Sequence, residues 1–273
     1  MNRINAFLFL FLIFIAKKAV GQYSISSGLV NRTVLIESMN GSSGTGFFFY
    51  YSNQTYLITA KHVLYDMQTN TLLDSVILAE YYPEDVTKSK QNYLRMDLNK
   101  LSRDRNVKYS KDGDVAIIKL SKSENINRLN EGAILNEDLP LNAIVVSQVG
   151  CYDSAVLGDD VYIVGYPKSL GLSEAYQYDF NRPLLRKGAL AGKSQKNNTL
   201  VVDCPSYPGN SGGPVYEVSY SGDIKLIGIV VSFIPLVERE LNLIYKTTNS
   251  HFVNSGYSVV EPVDKVIKLI NLF

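Results

Sequence analysis

The sequence predicts an all-β protein built from antiparallel strands. Three observations carry that prediction. Short apolar runs, rich in Val, Ile, Tyr, Phe and Thr and bounded by Gly, Asn, Asp or Pro, recur along the chain. Long amphipathic helices between them are missing, which argues against a parallel α/β sheet. One clear helical pattern stands at the C-terminus, after the last run. Many short strands with little helix suit antiparallel barrels or a sandwich.

The elements follow in order. "TVLIES" starts at Thr33. "GFFFYY" and "TYLITA" face each other across "SNQT" (52–55), which predicts a hairpin. "SVILAEYY" follows from Ser75. Residues 82–111 are polar and mixed in charge and read as a long excursion between strands. "DVAIIKL" (114–120) is the next strand, and 121–139 is a candidate linker between two halves. "NAIVVSQV", "DVYIVGYP", "TLVVDC", "GGPVYEV", "IKLIGIVVSF" and "GYSVVEP" complete the strands. Pro262 then suits a first helical position, and Val263, Val266, Ile267 and Ile270 recur at helical spacing, so 262–273 reads as a helix packed on the sheet. No internal repeat or low-complexity tract is visible.

The 273 residues leave room for one large domain or two small ones. Hydrophobic residues make up 46% and charged residues 19%, an ordinary globular balance. A formal charge of +1 sets up no field toward nucleic acid or an anionic membrane. There is no H-E-x-x-H, no C-x-x-C and no convincing metal-ligand set, so no metal or cofactor is expected.

The N-terminus is different. Arg3 precedes eleven apolar residues, Ala6 to Ala16, a run of signal-peptide length and short for a bilayer span. Ala19, Val20 and Gly21 offer a cleavage site, so residues 1–21 read as a signal peptide and the mature chain as 22–273. Cleavage removes three basic residues and no acidic one, leaving 24 basic against 26 acidic. Lys17 and Lys18 outnumber Arg3 across the apolar run, which keeps an uncleaved anchor as the alternative. The expected location is secreted or periplasmic, with no stable membrane insertion after cleavage. In an oxidising compartment Cys151 and Cys204 could form a disulfide closing a loop of about fifty residues, worth about 4 kcal/mol. Two buried thiols are the alternative.

The stretch "PSYPGNSGGPVYE" (205–217) sets Ser211 among glycines. A serine hydroxyl is a poor nucleophile at neutral pH. It needs an imidazole to take its proton, and the imidazole needs an acceptor to hold its tautomer. Of the two histidines, His62 follows a strand-like run, a rigid support, whereas His251 lies in a polar loop. Asp114 directly precedes a buried-looking strand and is the candidate acid; Asp112 begins an Asp-Gly turn. Acyl transfer also needs two backbone N–H groups converging on the substrate oxyanion, and Gly209 and Ser211 are placed to supply them.

These motifs carry a resemblance. His62 in "ITAKHV", Asp114 in "DVAI" and Ser211 in "GNSGGP" resemble, in that order, the three motifs of the trypsin-like (chymotrypsin-fold) serine peptidases. "GTGFFF" and "GDDVYIVGYP" are similar to strands of the HtrA/Deg branch, and "YSKDGDVAIIKLS" resembles the glutamyl endopeptidase branch. The likeness runs from about Val34 to Val266. It implies two six-stranded antiparallel β-barrels, the first over about 30–120 and the second over about 145–262. It implies a secreted or periplasmic serine endopeptidase acting on protein or peptide substrates, with His62 as base, Asp114 orienting it and Ser211 as nucleophile. The strand "IGIVVSF" would line the substrate cleft through Val230, Val231, Ser232 and Phe233.

Two departures matter. Asn210 stands where trypsin has an aspartate, and a neutral amide cannot pair with a freshly cut N-terminal ammonium. Val230 stands where glutamyl endopeptidases place a histidine, and Pro205 falls near the pocket floor where trypsin has an acid, so a small or apolar residue is expected before the scissile bond. Two other readings compete. One is a non-catalytic or auto-inhibited binding protein on the same fold. The other is an α/β-hydrolase using Ser211, an acid such as Glu238, and His251, although Gly212-Gly213-Pro214 is a poor helix start.

Overall fold

The computed structural model describes residues 27–121, 129–135, 140–170, 177–242 and 245–273. The signal peptide expected at 1–21 lies outside the described residues. The chain is mostly β, with a short α1 (Ser27–Val30) leading into the first half.

That half contains β1 (Thr33–Ser38), β2 (Ser43–Tyr51), β3 (Gln54–Thr59), α2 (Lys61–Leu64), β4 (Val76–Tyr81), β5 (Asn92–Asp97), α3 (Leu98–Arg103), β6 (Val107–Tyr109), β7 (Ala116–Lys119), β8 (Ala133–Leu135) and β9 (Ala143–Val145). The strands lie in the order β6-β7-β3-β2-β1-β4-β5-β8, and β9 pairs with β2 in parallel. Among the described residues the half is therefore a half-barrel, a curled nine-stranded sheet whose end strands β6 and β8 do not pair with each other, rather than a six-stranded closed barrel. β5, β6 and β8 come from stretches that read as polar, while β9 comes from the expected strand "NAIVVSQV". In β5, "NYLRMD" alternates strictly: Leu94 and Met96 are buried while Tyr93 and Arg95 are exposed. β8 pairs with β5, so part of the expected 121–139 linker belongs to this sheet.

The second half contains β10 (Asp160–Gly165), β11 (Leu184–Ser194), β12 (Thr199–Asp203), β13 (Pro214–Val218), β14 (Ile224–Asn242) and β15 (Thr247–Pro262). They close into a ring, β10-β11-β12-β15-β14-β13. β11 was not expected. Its "LLRKGALAGKS" is rich in Gly, Ala and Lys, residues that strands disfavour. β14 and β15 also extend well past the barrel as a two-stranded ribbon, paired from Pro235↔Asn254 out to Asn242↔Thr247.

The chain closes with α4 (Val263–Ile270). Pro262 is its N-cap rather than its first helical residue; the missing N–H costs nothing at either position. Val263, Val266, Leu269 and Ile270 are buried.

The side-chain pattern of β2 explains how the halves are joined. Successive residues of a strand point to opposite faces. Phe48 therefore enters the first half's own core with Leu57, Leu94 and Ile118. Phe47 and Phe49 face the other way, into a cluster with Ile58 and Ile117, with Tyr216, Leu226 and Ile229 of the second half, and with Val266 of α4. Both faces of β2 are covered, which is why "GFFFYY" shows no polar alternation. The β2–β3 hairpin turns on Ser52 and Asn53, both at positive φ (47° and 59°), the geometry of a tight two-residue turn.

Cys151 and Cys204 are free thiols, not a disulfide. Cys204 points into the second barrel's interior with Val161, Leu190 and Val202. Burial pushes its thiol pKa up, so it behaves as an inert core residue. Cys151 is half-buried and hydrogen-bonds within its own turn to Ser154.

Candidate active site

The site forms where the first half meets the second. β3 is buried along most of its length and leads directly into Ala60, the N-cap of α2. That rigid support carries His62 one turn later. Asp114 lies just ahead of β7, which pairs with β3, so the two residues are adjacent although they are 52 positions apart. The His62 backbone N–H donates to Asp114 Oδ1 at 2.9 Å, and His62 Nδ1 lies 2.6 Å from Asp114 Oδ2. Both carboxylate oxygens are thus engaged by one residue. His62 is about a third exposed and Asp114 is a fifth exposed, at 35% and 21% of their side chains, so the ring is reachable while the acid behind it is sheltered. At the C-cap of α2, burial pushes the Tyr65 phenol up to about 12, with Tyr109 packed against it.

The Ser211 turn is held from both sides. The peptide that follows Ser211 is clamped at each end: its carbonyl accepts from Thr45 N–H of the first half at 2.8 Å, and the Gly212 N–H donates to the Val230 carbonyl of the second half at 2.7 Å. The Gly213 carbonyl accepts in turn from Val230 N–H at 2.9 Å. Gly212 has φ +87°, and a Cβ there would meet the Thr45 carbonyl at 2.1 Å, Thr59 Oγ1 at 2.3 Å and Ala60 N at 2.7 Å. No other residue fits, and the turn carrying Ser211 is thereby seated against the start of α2, two residues from His62.

The Gly209 peptide is fixed as well. Thr45 Oγ1 donates to the Gly209 carbonyl at 2.6 Å and accepts from Tyr166 N–H at 3.0 Å. Thr59 Oγ1 donates to the Thr45 carbonyl at 2.7 Å. Asn210 is buried; its N–H donates to the Tyr207 carbonyl at 2.9 Å, and its Oδ1 accepts from Tyr207 N–H at 3.0 Å. The residue at 210 therefore closes its own loop with Tyr207. Gly209 has φ +100°, a region that side chains rarely adopt. Among the described residues, the N–H groups of Gly209 and Ser211 donate to no backbone acceptor.

Thr45 and Thr59 were not singled out from the sequence. Their signal was there: two hydroxyl residues inside strands that are otherwise aromatic and aliphatic, at positions that the structure shows fully buried. A buried hydroxyl needs partners, and these supply the clamp on the Ser211 loop.

The structure divides the four residues expected to line the cleft. Val230 packs inside the second barrel and Val231 in the cluster between the halves, so neither side chain is open. Ser232 is exposed and Phe233 half-buried. Near Ser232 the groups are small and polar: Ser206 Oγ is 3.5 Å from the Ser232 carbonyl and 2.8 Å from Ser258 Oγ. His251 sits far out on the β14–β15 ribbon, opposite Glu238 and 3.5 Å from Glu240. Ser211 leads into the strand β13, not a helix, so the α/β-hydrolase reading fails on fold. Among the described residues, no cluster of three metal-ligating side chains occurs, and no helix is long and apolar enough to cross a membrane.

A comparison with curated proteins finds no match. Solved structures share the fold at low identity. The HtrA-type protease AlgW with tripeptide superposes with a TM-score of 0.53 at 15% identity, over 91% of this chain and 62% of that one. Deg5 superposes with a TM-score of 0.52 at 18% identity, over 88% and 87%. The serine endoprotease from Yersinia pestis gives 0.50 at 17%, over 91% and 65%. The chain thus spans about three-fifths of the length of the AlgW structure. The family model described as a trypsin-like peptidase domain matches residues 44–229, a stretch that holds His62, Asp114 and Ser211 together. The chain belongs to the trypsin-like peptidase family.

Proposed function

We propose that this chain is an exported serine endopeptidase that cleaves protein or peptide substrates through His62, Asp114 and Ser211. The observation that carries this reading is the pair of contacts from Asp114 to His62, 2.9 Å to the backbone and 2.6 Å to the ring, with the Ser211 turn seated on α2 beside them. Asp114 holds the imidazole with Nδ1 as the proton-bearing nitrogen, which leaves Nε2 free to accept a proton. In the reaction, Ser211 Oγ attacks the substrate carbonyl carbon while His62 takes the hydroxyl proton. The tetrahedral oxyanion is held by the N–H groups of Gly209 and Ser211. His62 returns the proton to the leaving amine, and water then hydrolyses the acyl-enzyme by the same steps. Among the described residues those two N–H groups donate to no backbone acceptor, and this, with the positive φ at Gly209, supports their assignment to the oxyanion. Export rests on the apolar run of residues 6–16 and the small residues that follow it.

The test is covalent labelling by a fluorophosphonate probe, comparing wild type with Ser211→Ala and His62→Ala. A catalytic site labels at Ser211 alone and loses labelling in both variants. A binding protein on this fold stays unlabelled.

A further inference from the structure

Asp114 spends its carboxylate on His62, so something else must hold its backbone. The Asp114 N–H donates to Glu261 Oε1 at 2.9 Å, across 147 residues. Glu261 is the penultimate residue of β15 and is only 5% exposed. Its other oxygen, Oε2, pairs with Lys265, one helical turn along at the start of α4, a side chain itself only 12% exposed. Lys265 Nζ also donates to the Asn197 carbonyl at 3.2 Å. A lone carboxylate buried this near Asp114 would repel it and would carry a large desolvation penalty. The lysine neutralises that charge and leaves one oxygen aimed at the Asp114 peptide.

The backbone position of Glu261 matters as much as its charge. In the β14–β15 ladder Glu261 stands opposite Ile229, next to the Val230↔Val260 pair. Val230 is the residue whose N–H and carbonyl hold the peptides after Ser211. One residue of the second barrel is therefore a single ladder step from the strand that pins the Ser211 turn, and at the same time grips the first-half loop that carries Asp114.

We infer that Glu261, neutralised by Lys265, is a positioning residue for the reaction: it sets Asp114, and through Asp114 the His62 ring, in register with Ser211. The inference rests on the triad reading given above. Glu261 touches neither substrate nor the reacting atoms. Its effect is on the rate of the chemical step, not on substrate affinity.

Glu261→Gln keeps an acceptor oxygen for the Asp114 N–H, and Glu261→Leu removes it. Gly113→Ala offers a second route, since a Cβ at 113 meets Glu261 Oε1 at 2.9 Å and displaces the carboxylate without removing a charge. The measurements are kcat and KM on a peptide substrate, thermal stability, and the downfield proton resonance of the His62 Nδ1–H to Asp114 bond. Glu261→Leu is expected to lower kcat by about 10²-fold with KM unchanged. It should also broaden or shift the His62 resonance, while Glu261→Gln restores both. Gly113→Ala should move the same resonance even if Glu261→Leu does not fold. A folded Glu261→Leu with wild-type kcat and an unmoved resonance overturns the inference, as does a Gln variant as impaired as the Leu variant. Asp114→Asn is run alongside. If it abolishes activity while the Glu261 and Gly113 variants do not, the positioning role alone falls; if it leaves activity intact, the triad reading falls with it.

Discussion

Asp114 and Thr45 show how little freedom single residues have at the seam between the halves. Asp114 makes two hydrogen bonds to His62 and receives its own place from Glu261. Thr45 has four bonds in a few ångströms: its N–H to the Ser211 carbonyl, its hydroxyl to the Gly209 carbonyl and from Tyr166 N–H, and its carbonyl from Thr59. Thr45→Val keeps the shape and deletes only the hydroxyl. It leaves a buried carbonyl and a buried N–H without partners, so unfolding in urea should show a loss of about 1–3 kcal/mol. The Gly209 peptide also loses its anchor, so kcat should fall with KM nearly constant. A stable variant with full kcat would mean that the loop is held by other contacts. At this scale the sequence is partly legible. His62, Asp114 and Ser211 stand out because the chemistry proposed for them requires special neighbours. Thr45 and Glu261 do not, because their importance comes from partners 164 and 147 residues away.

Among the elements, β2 and β13 illustrate opposite relations between pattern and burial. β2 carries the unbroken aromatic run Phe47, Phe48 and Phe49 because both its faces are covered there. β13, "PVYEV", contains a charged residue that is buried all the same: Glu217 is 6% exposed and accepts from the Val156 N–H at 2.7 Å. Burial raises its carboxyl pKa above the ordinary 4.5, an effect that the Val156 hydrogen bond and the nearby lysines only partly offset. A raised folded-state pKa favours the fold below the ordinary value, and that contribution is lost as pH rises through the folded value. Glu217→Gln keeps the acceptor and removes the charge. Its stability relative to wild type should therefore rise between pH 4.5 and neutrality, measured as Tm across that range; a relative loss at neutral pH would contradict the assignment. Elements whose residues follow the period-two alternation or an unbroken apolar run, such as β1 and β10, are visible in the sequence. β5 and β6 are hidden by the polar residues within them, and β8, only three residues long, by the polar stretch around it. β11 is hidden by its glycines and alanines, and its strand state comes from pairing with β10 and β12 rather than from its own propensity.

The whole molecule works because its two halves share one cluster instead of touching at a thin interface. Phe47, Phe49, Ile58 and Ile117 from the first sheet meet Tyr216, Leu226 and Ile229 from the barrel, with Val266 and Ile270 of α4 closing the end. Ile229 is fully buried there and stands opposite Glu261 in the β14–β15 ladder. Ile229→Ala should cost about 2–5 kcal/mol and lower the midpoint of a single transition. Two separate transitions would show that the halves are energetically independent. The overall class, the chain order of His62, Asp114 and Ser211, and the terminal helix are all legible from composition, spacing and motif. The curled nine-stranded first sheet and the two free thiols are not, because strand order and cysteine orientation depend on tertiary packing alone. The central claim is that this packing brings the imidazole at 62 to bear on the hydroxyl at 211. Fluorophosphonate labelling followed by peptide mapping tests it directly. The account predicts one adduct, on Ser211, lost in Ser211→Ala and in His62→Ala alike. Labelling that persists in folded His62→Ala at the wild-type rate, or no adduct on Ser211 in the folded wild-type chain, would contradict it.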